Sequence, residues 1–287
     1  MTQRILLQLD CDPQPSSFDS VVAVDAGVEH LLRYGGVEPT TVEPLVHGAM
    51  FTRGGDDLRH TAIFVGGSNV EAAEALMAAC ESAFFGPVRV SLMLDANGCN
   101  TTASAAVVAA GRHVDLAGAR AVVLGGTGPV GRRVAQLLAS DGAHVTLTSR
   151  SLDRAQRAAD EVGKKSETGQ VDAFGVDSPS RVAEVLADAQ IVVGCGAAGI
   201  ELADEATLTS LTELKVAIDL NVVPPAGLGG IGVTDKAKEL GSGVGYGAIG
   251  VGGLKMKTHR AAIKSLFEAN DRVLDAAEIY AIAKSIG

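Results

Sequence analysis

No stretch of this chain restricts its fold more than Leu124-Gly-Gly-Thr-Gly-Pro-Val-Gly131. An apolar run, Ala121-Val-Val-Leu124, precedes it, and a helical pattern from Arg132 to Ser140 follows. In that setting the spacing Gly126-x-Gly128-x-x-Gly131 reads as strand, tight turn and helix, the fingerprint of a dinucleotide-binding βαβ unit. Gly126 permits the turn, Gly128 lets the backbone approach a pyrophosphate, and Gly131 lets helix and strand pack closely. Thr127, Pro129 and Val130 complete the turn. The helix N-terminus then offers N–H groups and a positive dipole end to phosphate.

The strand after this helix, His144-Val-Thr-Leu-Thr148, decides between two coenzymes. A site for NAD places Asp or Glu at its end to bind the ribose 2′-hydroxyl. Here the end reads Ser149-Arg150-Ser151, with Arg154 one turn on and no carboxylate before Asp153. A guanidinium suits a 2′-phosphate, so the pattern favours NADP and leaves NAD possible. The strand Ile191-Val-Val-Gly-Cys195 runs into Gly196-Ala197-Ala-Gly199, which borders the coenzyme. Val216-Ala-Ile-Asp219 runs into Asn221-Val-Val-Pro-Pro225, a rigid loop placed to line the nicotinamide end.

Strands and helices also alternate before the fingerprint, the pattern of a parallel sheet. Residues 4–9, 61–65 and 87–94 read as strands. A helix capped by Ser16 or Ser17 runs to about Tyr34, with Val21, Val24, Val28 and Leu31 as its apolar face. Ligands of such sheets collect beyond the carboxyl ends of the strands. Those ends carry Asp10 and Asp12, Gly66-Gly-Ser68, and Asp95-Ala-Asn97-Gly-Cys-Asn100-Thr-Thr102. The last loop has two readings: a turn and helix cap, with Thr101 or Thr102 as the cap, or a set of amide and hydroxyl groups that hold a heterocycle. Phe18 likewise reads either as a staple onto the core or as a ring facing a ligand. Gly241 to Gly253 holds seven glycines and reads as a hinge or close-contact stretch. A helix opening at Leu254 puts Lys255 and His259 on one face; as lone residues they read equally as solvated surface groups. The expected fold is α/β with two domains. Residues 1–110 with 253–287 form a parallel α/β domain completed by C-terminal helices, and 111–252 form a Rossmann-type domain.

The net charge of −10 argues against nucleic acid or an anionic membrane as partner. No apolar run approaches a membrane span and the N-terminus has no signal-peptide pattern. The four cysteines have no metal-ligand spacing, so they read as reduced thiols of a cytoplasmic protein, and no metal is expected.

Motifs along nearly the whole chain resemble the bacterial NAD(P)-dependent methylenetetrahydromethanopterin dehydrogenases of C1 metabolism, relatives in fold of the methylenetetrahydrofolate dehydrogenases. In the N-terminal part they are Gln8-x-Asp10-x-Asp12, Pro15-Ser16-x-Phe18-Asp19, Phe51-Thr-Arg-Gly-Gly55, Thr61-Ala-Ile-Phe-Val-Gly-Gly67, Phe85-Gly-Pro-x-Arg-Val-Ser-x-Met-Leu-Asp95 and Asn97-Gly-x-Asn-Thr-Thr102. The fingerprint, Gly227-x-Gly-Gly-Ile231 and Gly247-Ala-Ile-Gly-x-Gly-Gly-Leu-Lys255-x-Lys257-x-His259-Arg260 complete the set. The resemblance implies two α/β domains with the active site in the cleft between them, and a homo-oligomer, a trimer in the best-known member. It places Phe18, Lys255 and His259 at the pterin and hydride-transfer site. Asp10, Asp12, Asp95, Asn97, Asn100 and Thr102 become candidate hydrogen-bonding partners of the pterin. The related bifunctional folate enzymes also hydrolyse the methenyl product with a Tyr-x-x-x-Lys pair in their N-terminal domain. The one match here, Tyr280-Ala-Ile-Ala-Lys284, lies near the C-terminus, so no such hydrolysis is expected. Two rivals remain: a shikimate-type NADP dehydrogenase, for which no convincing Lys/Asp acid–base pair stands out, and a non-catalytic NADP-sensing module.

Overall fold

The computed structural model describes residues 2–166 and 168–287. The chain divides into two compact units, one holding residues up to Thr101 together with Met256–Ile286, the other Thr102–Lys255.

In the first unit the order is β1 (Ile5–Asp10), α1 (Ser17–Asp25), β2 (His30–Tyr34), α2 (Glu43–Phe51), β3 (Thr61–Gly66), α3 (Val70–Ser82) and β4 (Ser91–Leu94). The helix α4 (Cys99–Gly111) carries the chain across the division. All five strands of the sheet are parallel, in the order β12-β4-β3-β1-β2, where β12 (Val273–Leu274) comes from the C-terminal segment. β1, β3 and β4 are near-continuous apolar runs because helices cover both faces. One core cluster joins Leu6, Val22, Phe64 and Met93 to Ile263, Leu266 and Phe267 of the C-terminal segment and to Ile279 of the last helix, α10 (Ala276–Ile286). The C-terminal segment therefore completes the N-terminal sheet. Asp10 pairs with Gly66, and Val65 with Leu94, so three strand ends share one edge of the sheet.

The second unit contains β5 (Arg120–Leu124), α5 (Pro129–Ser140), β6 (His144–Ser149), α6 (Leu152–Gly163), β7 (Gln170–Gly175), α7 (Pro179–Leu186), β8 (Ile191–Gly194), α8 (Glu205–Ser210), β9 (Val216–Asp219), β10 (Lys236–Leu240) and β11 (Gly243–Tyr246). The helix α9 (Ala248–Ser265) returns the chain to the first unit. The strand order is β10-β11-β9-β8-β5-β6-β7, all parallel except the outer hairpin strand β10. Counted from β5, this is the 3-2-1-4-5-6 order of a Rossmann fold with one added edge strand, and its switch point lies between β5 and β8. Among the described residues no helix is long and apolar enough to cross a membrane.

One local expectation fails, and one stretch with two readings is decided. The first helix stops at Asp25, because Gly27 adopts φ +89°, and His30–Tyr34 leaves as the edge strand β2. Val22 and Ala23 are its buried residues, whereas Val21 and Val24 are exposed. The glycine-rich stretch takes the close-contact form, the second of its two readings. It forms β11 and the first turns of α9, which begins six residues before Leu254.

Candidate functional site

The glycine turn of the second unit is built from steric necessity. The left-handed residue is Gly125, at φ +65°, and not Gly126 as the fingerprint suggests. A Cβ on Gly125 would stand 2.7 Å from the Cα of Gly196, so the loops after β5 and β8 touch through two glycines. A Cβ on Gly126 would meet Val123 Cγ1 at 2.8 Å, and one on Gly131 would lie 2.5 Å from the Cα of Gly126. Those contacts hold α5 tight against β5. Gly128 differs: a Cβ there would meet nothing within 4 Å. Gly128 is the N-cap of α5, Pro129 fills the first turn, and no side chain caps the helix. This open, uncapped N-terminus offers the backbone amides of Val130 and Gly131 to an anion. Thr127 is half-buried and its carbonyl accepts from Arg132 Nε. Thr148, buried at the end of β6, accepts from the Gly125 amide at 3.2 Å and donates to the Val123 carbonyl, pinning the turn to its neighbour strand.

After β6, Ser151 caps α6 by accepting from the Arg154 amide, and the Ser149 hydroxyl accepts from the Ser151 amide. Arg150 and Arg154 are exposed, and among the described residues neither guanidinium has a hydrogen-bond or ion-pair partner. Such a pair of uncommitted cations suits a phosphomonoester. Beyond β8, Ala197 is exposed. Burial pushes the Cys195 thiol up to about 12, with the neighbouring Asp219 adding to it. Asp219 ends β9 and accepts from the amides of Asn221, Gly227 and Leu228, closing the loop that carries the double proline. Burial raises its pKa against the pull of those three amides. Asn221 accepts from the Val223 amide through Oδ1, while its buried Nδ2 has no partner among the described residues. An orphan buried donor beside the switch-point strands fits the polar end of a nucleotide.

In the first unit, α1 starts at the carboxyl end of β1. Gln8, a buried polar side chain in the middle of that largely apolar strand, donates to the Ser16 carbonyl and accepts from the Ser20 hydroxyl. This lock aims the first turn of α1, which holds Phe18, half exposed, and Asp19. His259 of α9 is fully buried against it. Its ring stacks on Phe64 of β3 at 5.7 Å and lies 6.3 Å from the ring of Phe18. Its Nε2 lies 4.0 Å from Asp19 Oδ1. Lys255 sits one helical turn before His259 on α9 and is partly exposed. The structure thus gathers Phe18 and His259, and adds Phe64 and Asp19, which sequence reasoning did not single out.

The polar loops are braced from within. Asp10, read from sequence as a pterin ligand, accepts from the amides of Asp12 and Ser16. Asp12 accepts from the amide and hydroxyl of Ser68. Asp95 is fully buried and accepts from the amides of Asn100 and Thr101 and from the Thr101 hydroxyl, so Asp95 caps α4 where Thr101 or Thr102 was expected to. Asn100, also buried, donates to the Leu94 carbonyl and to Asp275. These four residues brace the loops in which they stand. Asn97, left-handed at φ 51°, is exposed, and Thr102 is half-buried. Tyr280 is buried on α10 with the ammonium of Lys284 4.4 Å above its ring, so this pair forms a cation–π contact within the C-terminal helix.

Comparison with known proteins then gives the lineage. The N-terminal domain model of methylene-tetrahydromethanopterin dehydrogenase matches residues 17–97, and that of the saccharopine dehydrogenase NADP-binding domain matches residues 121–202. The chain is 48% identical to the bifunctional protein MdtA of Methylorubrum extorquens, over all of both chains. It is 33% identical to the NAD(P)-dependent methylenetetrahydromethanopterin dehydrogenase of the same organism, over 100% of this chain and 99% of the other. This chain belongs to the methylenetetrahydromethanopterin dehydrogenase family. Family membership brings an NADP-binding Rossmann unit, which the geometry of the glycine turn fits. A shikimate 5-dehydrogenase of Listeria monocytogenes, solved with shikimate and NAD, covers 99% of this chain and 96% of its own with a TM-score of 0.57. At 11% identity that likeness extends to the fold alone.

Proposed function

We propose that this chain oxidises methylene-tetrahydromethanopterin to the methenyl form with NADP, in the C1 metabolism of the cytoplasm; methylene-tetrahydrofolate is a second candidate substrate. The bound coenzyme supplies the hydride acceptor. Gly126, Thr127, Gly128, Pro129, Val130 and Gly131 hold its pyrophosphate, Ser149, Arg150 and Arg154 its 2′-phosphate, and Ala197 and Asn221 border its nicotinamide end. NAD is accepted less well, because arginine stands at the end of β6 where a carboxylate would claim a free 2′-hydroxyl.

The observation that carries the substrate reading is His259, buried between two aromatic rings and one turn from Lys255. The carbon to be oxidised lies between two nitrogens. Loss of hydride leaves an amidinium-like cation that both lone pairs stabilise, so the chain needs no general base and no nucleophile. Its task is to place the carbon and keep water away. Phe18 packs against the reacting rings, and Lys255 and His259 grip the polar edge of the pterin. Asn97 and Thr102 are weaker candidates for further pterin contacts, and Asp10, Asp12, Asp95 and Asn100 act by fixing the loops.

The chain works as a homo-oligomer, with the trimer as the expected size. Val21 and Val24 on α1, and separately Leu32 on the edge strand β2, are exposed apolar side chains of the kind that subunit contact covers. Light scattering reads the mass.

Lys255→Ala and His259→Ala test the substrate site. Each lowers turnover or substrate affinity by about tenfold or more, the scale of a lost positioning or charged contact, while calorimetry finds NADP binding unchanged. Unchanged kinetics in both variants defeat the assignment.

A further inference from the structure

Asp19 stands where a residue that acts through His259 should stand. The carboxylate is mostly buried, its side chain 13% exposed, and its Oδ1 faces Nε2 of an imidazole that is 0% exposed. The distance, 4.0 Å, is the outer limit of an ion pair. A shift of about 1 Å closes it to a charge-assisted hydrogen bond, the tightening expected when such sites fill. Little of Asp19 is free to wander. Its amide donates to the Ser16 hydroxyl at 3.2 Å, the Ser16 amide donates to Asp10, and the Ser16 carbonyl accepts from buried Gln8. Phe64 below and Phe18 beside the ring restrict its tilt, and the carboxylate favours hydrogen on the nitrogen that it faces.

We propose that Asp19 is the positioning residue of His259: its carboxylate keeps a hydrogen on Nε2 and fixes the imidazole plane, and the Gln8–Ser16–Ser20 lock holds Asp19 in place. This rests on the reading of His259 as a pterin-gripping residue. It also accounts for a glutamine in the middle of a buried, largely apolar strand, which packing alone disfavours.

The test uses the full-length protein with ¹⁵N-labelled histidine. The wild type shows His259 with hydrogen on Nε2. Asp19→Ala loses that preference, and its turnover with methylene-tetrahydromethanopterin falls about tenfold with NADP affinity unchanged, a coupling within the range found for contacting residues. Asp19→Asn keeps an acceptor oxygen in place, so it retains the Nε2 hydrogen and recovers most of the turnover. Adding Asp19→Ala to His259→Ala costs nothing further. Wild-type nitrogen signals in Asp19→Ala overturn the proposal, as does an altered ring with undiminished turnover. A wild type inactive on methylene pterins refutes the substrate reading instead, and the nitrogen signals still decide whether Asp19 holds the ring.

Discussion

Alanine at Gly131 and alanine at Gly128 add the same methyl group three residues apart, but only the first should cost stability. At Gly131 the new carbon lies 2.5 Å from the Cα and 2.6 Å from the carbonyl oxygen of Gly126, against the 3.4 Å at which ordinary contact begins. The shortfall of 0.9 Å falls on backbone, so no side chain can swing away. α5 must move off β5, at a cost of about 1–3 kcal/mol for overpacking a tight contact. At Gly128 the methyl meets nothing, and φ −79°, ψ 172° suits any residue. Alanine is a poorer N-cap than glycine, but it restricts the unfolded chain by about 0.4–1 kcal/mol, and the two effects nearly cancel. Gly128→Ala should therefore melt within about 0.5 kcal/mol of wild type, as surface substitutions do. Its coenzyme affinity should fall all the same, because the space the methyl takes is where phosphate approaches the amides of Val130 and Gly131. A loss of about tenfold in Kd corresponds to about 1.4 kcal/mol. Gly131→Ala should lose both stability and affinity. Chemical denaturation and calorimetric titration with NADP measure the two quantities separately. Wild-type NADP affinity in Gly128→Ala would refute the assignment of that open face, and wild-type stability in Gly131→Ala would refute the packing argument.

Removing Arg150 or Arg154 should weaken NADP by about tenfold or more, the value of a hydrogen bond to a charged group, while NAD binding changes little; equal losses for both coenzymes would show that neither guanidinium reads the 2′-phosphate. Asp95→Ala strands two amides and a hydroxyl at the start of α4. It should cost about 2–4 kcal/mol in chemical denaturation, and a stable variant with weakened pterin binding would restore Asp95 as a ligand. Burial holds the Cys80 thiol at about 12, above its usual 9.0. The unfolded chain thus gives up a proton near pH 9 that the folded chain keeps. Cys80 stabilises the fold fully below pH 9, and that contribution drains away towards pH 12 at up to about 1.4 kcal/mol per pH unit. Stability curves of wild type and Cys80→Ala should converge over this window; parallel curves would show that the thiol titrates normally.

The coenzyme unit was legible because its signals are local. A glycine fingerprint between an apolar run and a helix, and arginine where a carboxylate would claim the ribose, need no distant partner to be read. The first helix was misread because His30-Leu-Leu-Arg-Tyr34 is an edge strand, half polar and without clean alternation, so its leucines mimic a helical stripe. The glycines of 241–253 left a hinge and a close-contact stretch both open, because glycine weakens a helix and also lets backbones approach. Close packing needs several of them: a Cβ on Gly247 would run into the Gly232 carbonyl, one on Gly250 into that of Asp235, and one on Gly241 or Gly243 would stand under 3.0 Å from backbone. Tertiary context also decided the acidic loops. An aspartate at a strand end looks the same whether it faces a ligand or caps the next helix, and only the amides around Asp95 and Asp219 tell them apart. Asp19 and Phe64 stood within the motifs but had no role of their own for the same reason, since each gains meaning from a histidine more than 190 residues away in sequence.

The most direct measurement is NADPH absorbance in purified protein supplied with NADP and methylene-tetrahydromethanopterin, run beside methylene-tetrahydrofolate and shikimate and repeated with NAD. The account predicts rapid NADPH formation from a methylene pterin, slower reduction of NAD, and none from shikimate. Tight NADP binding with no reduction by either pterin, or turnover of shikimate, would contradict it.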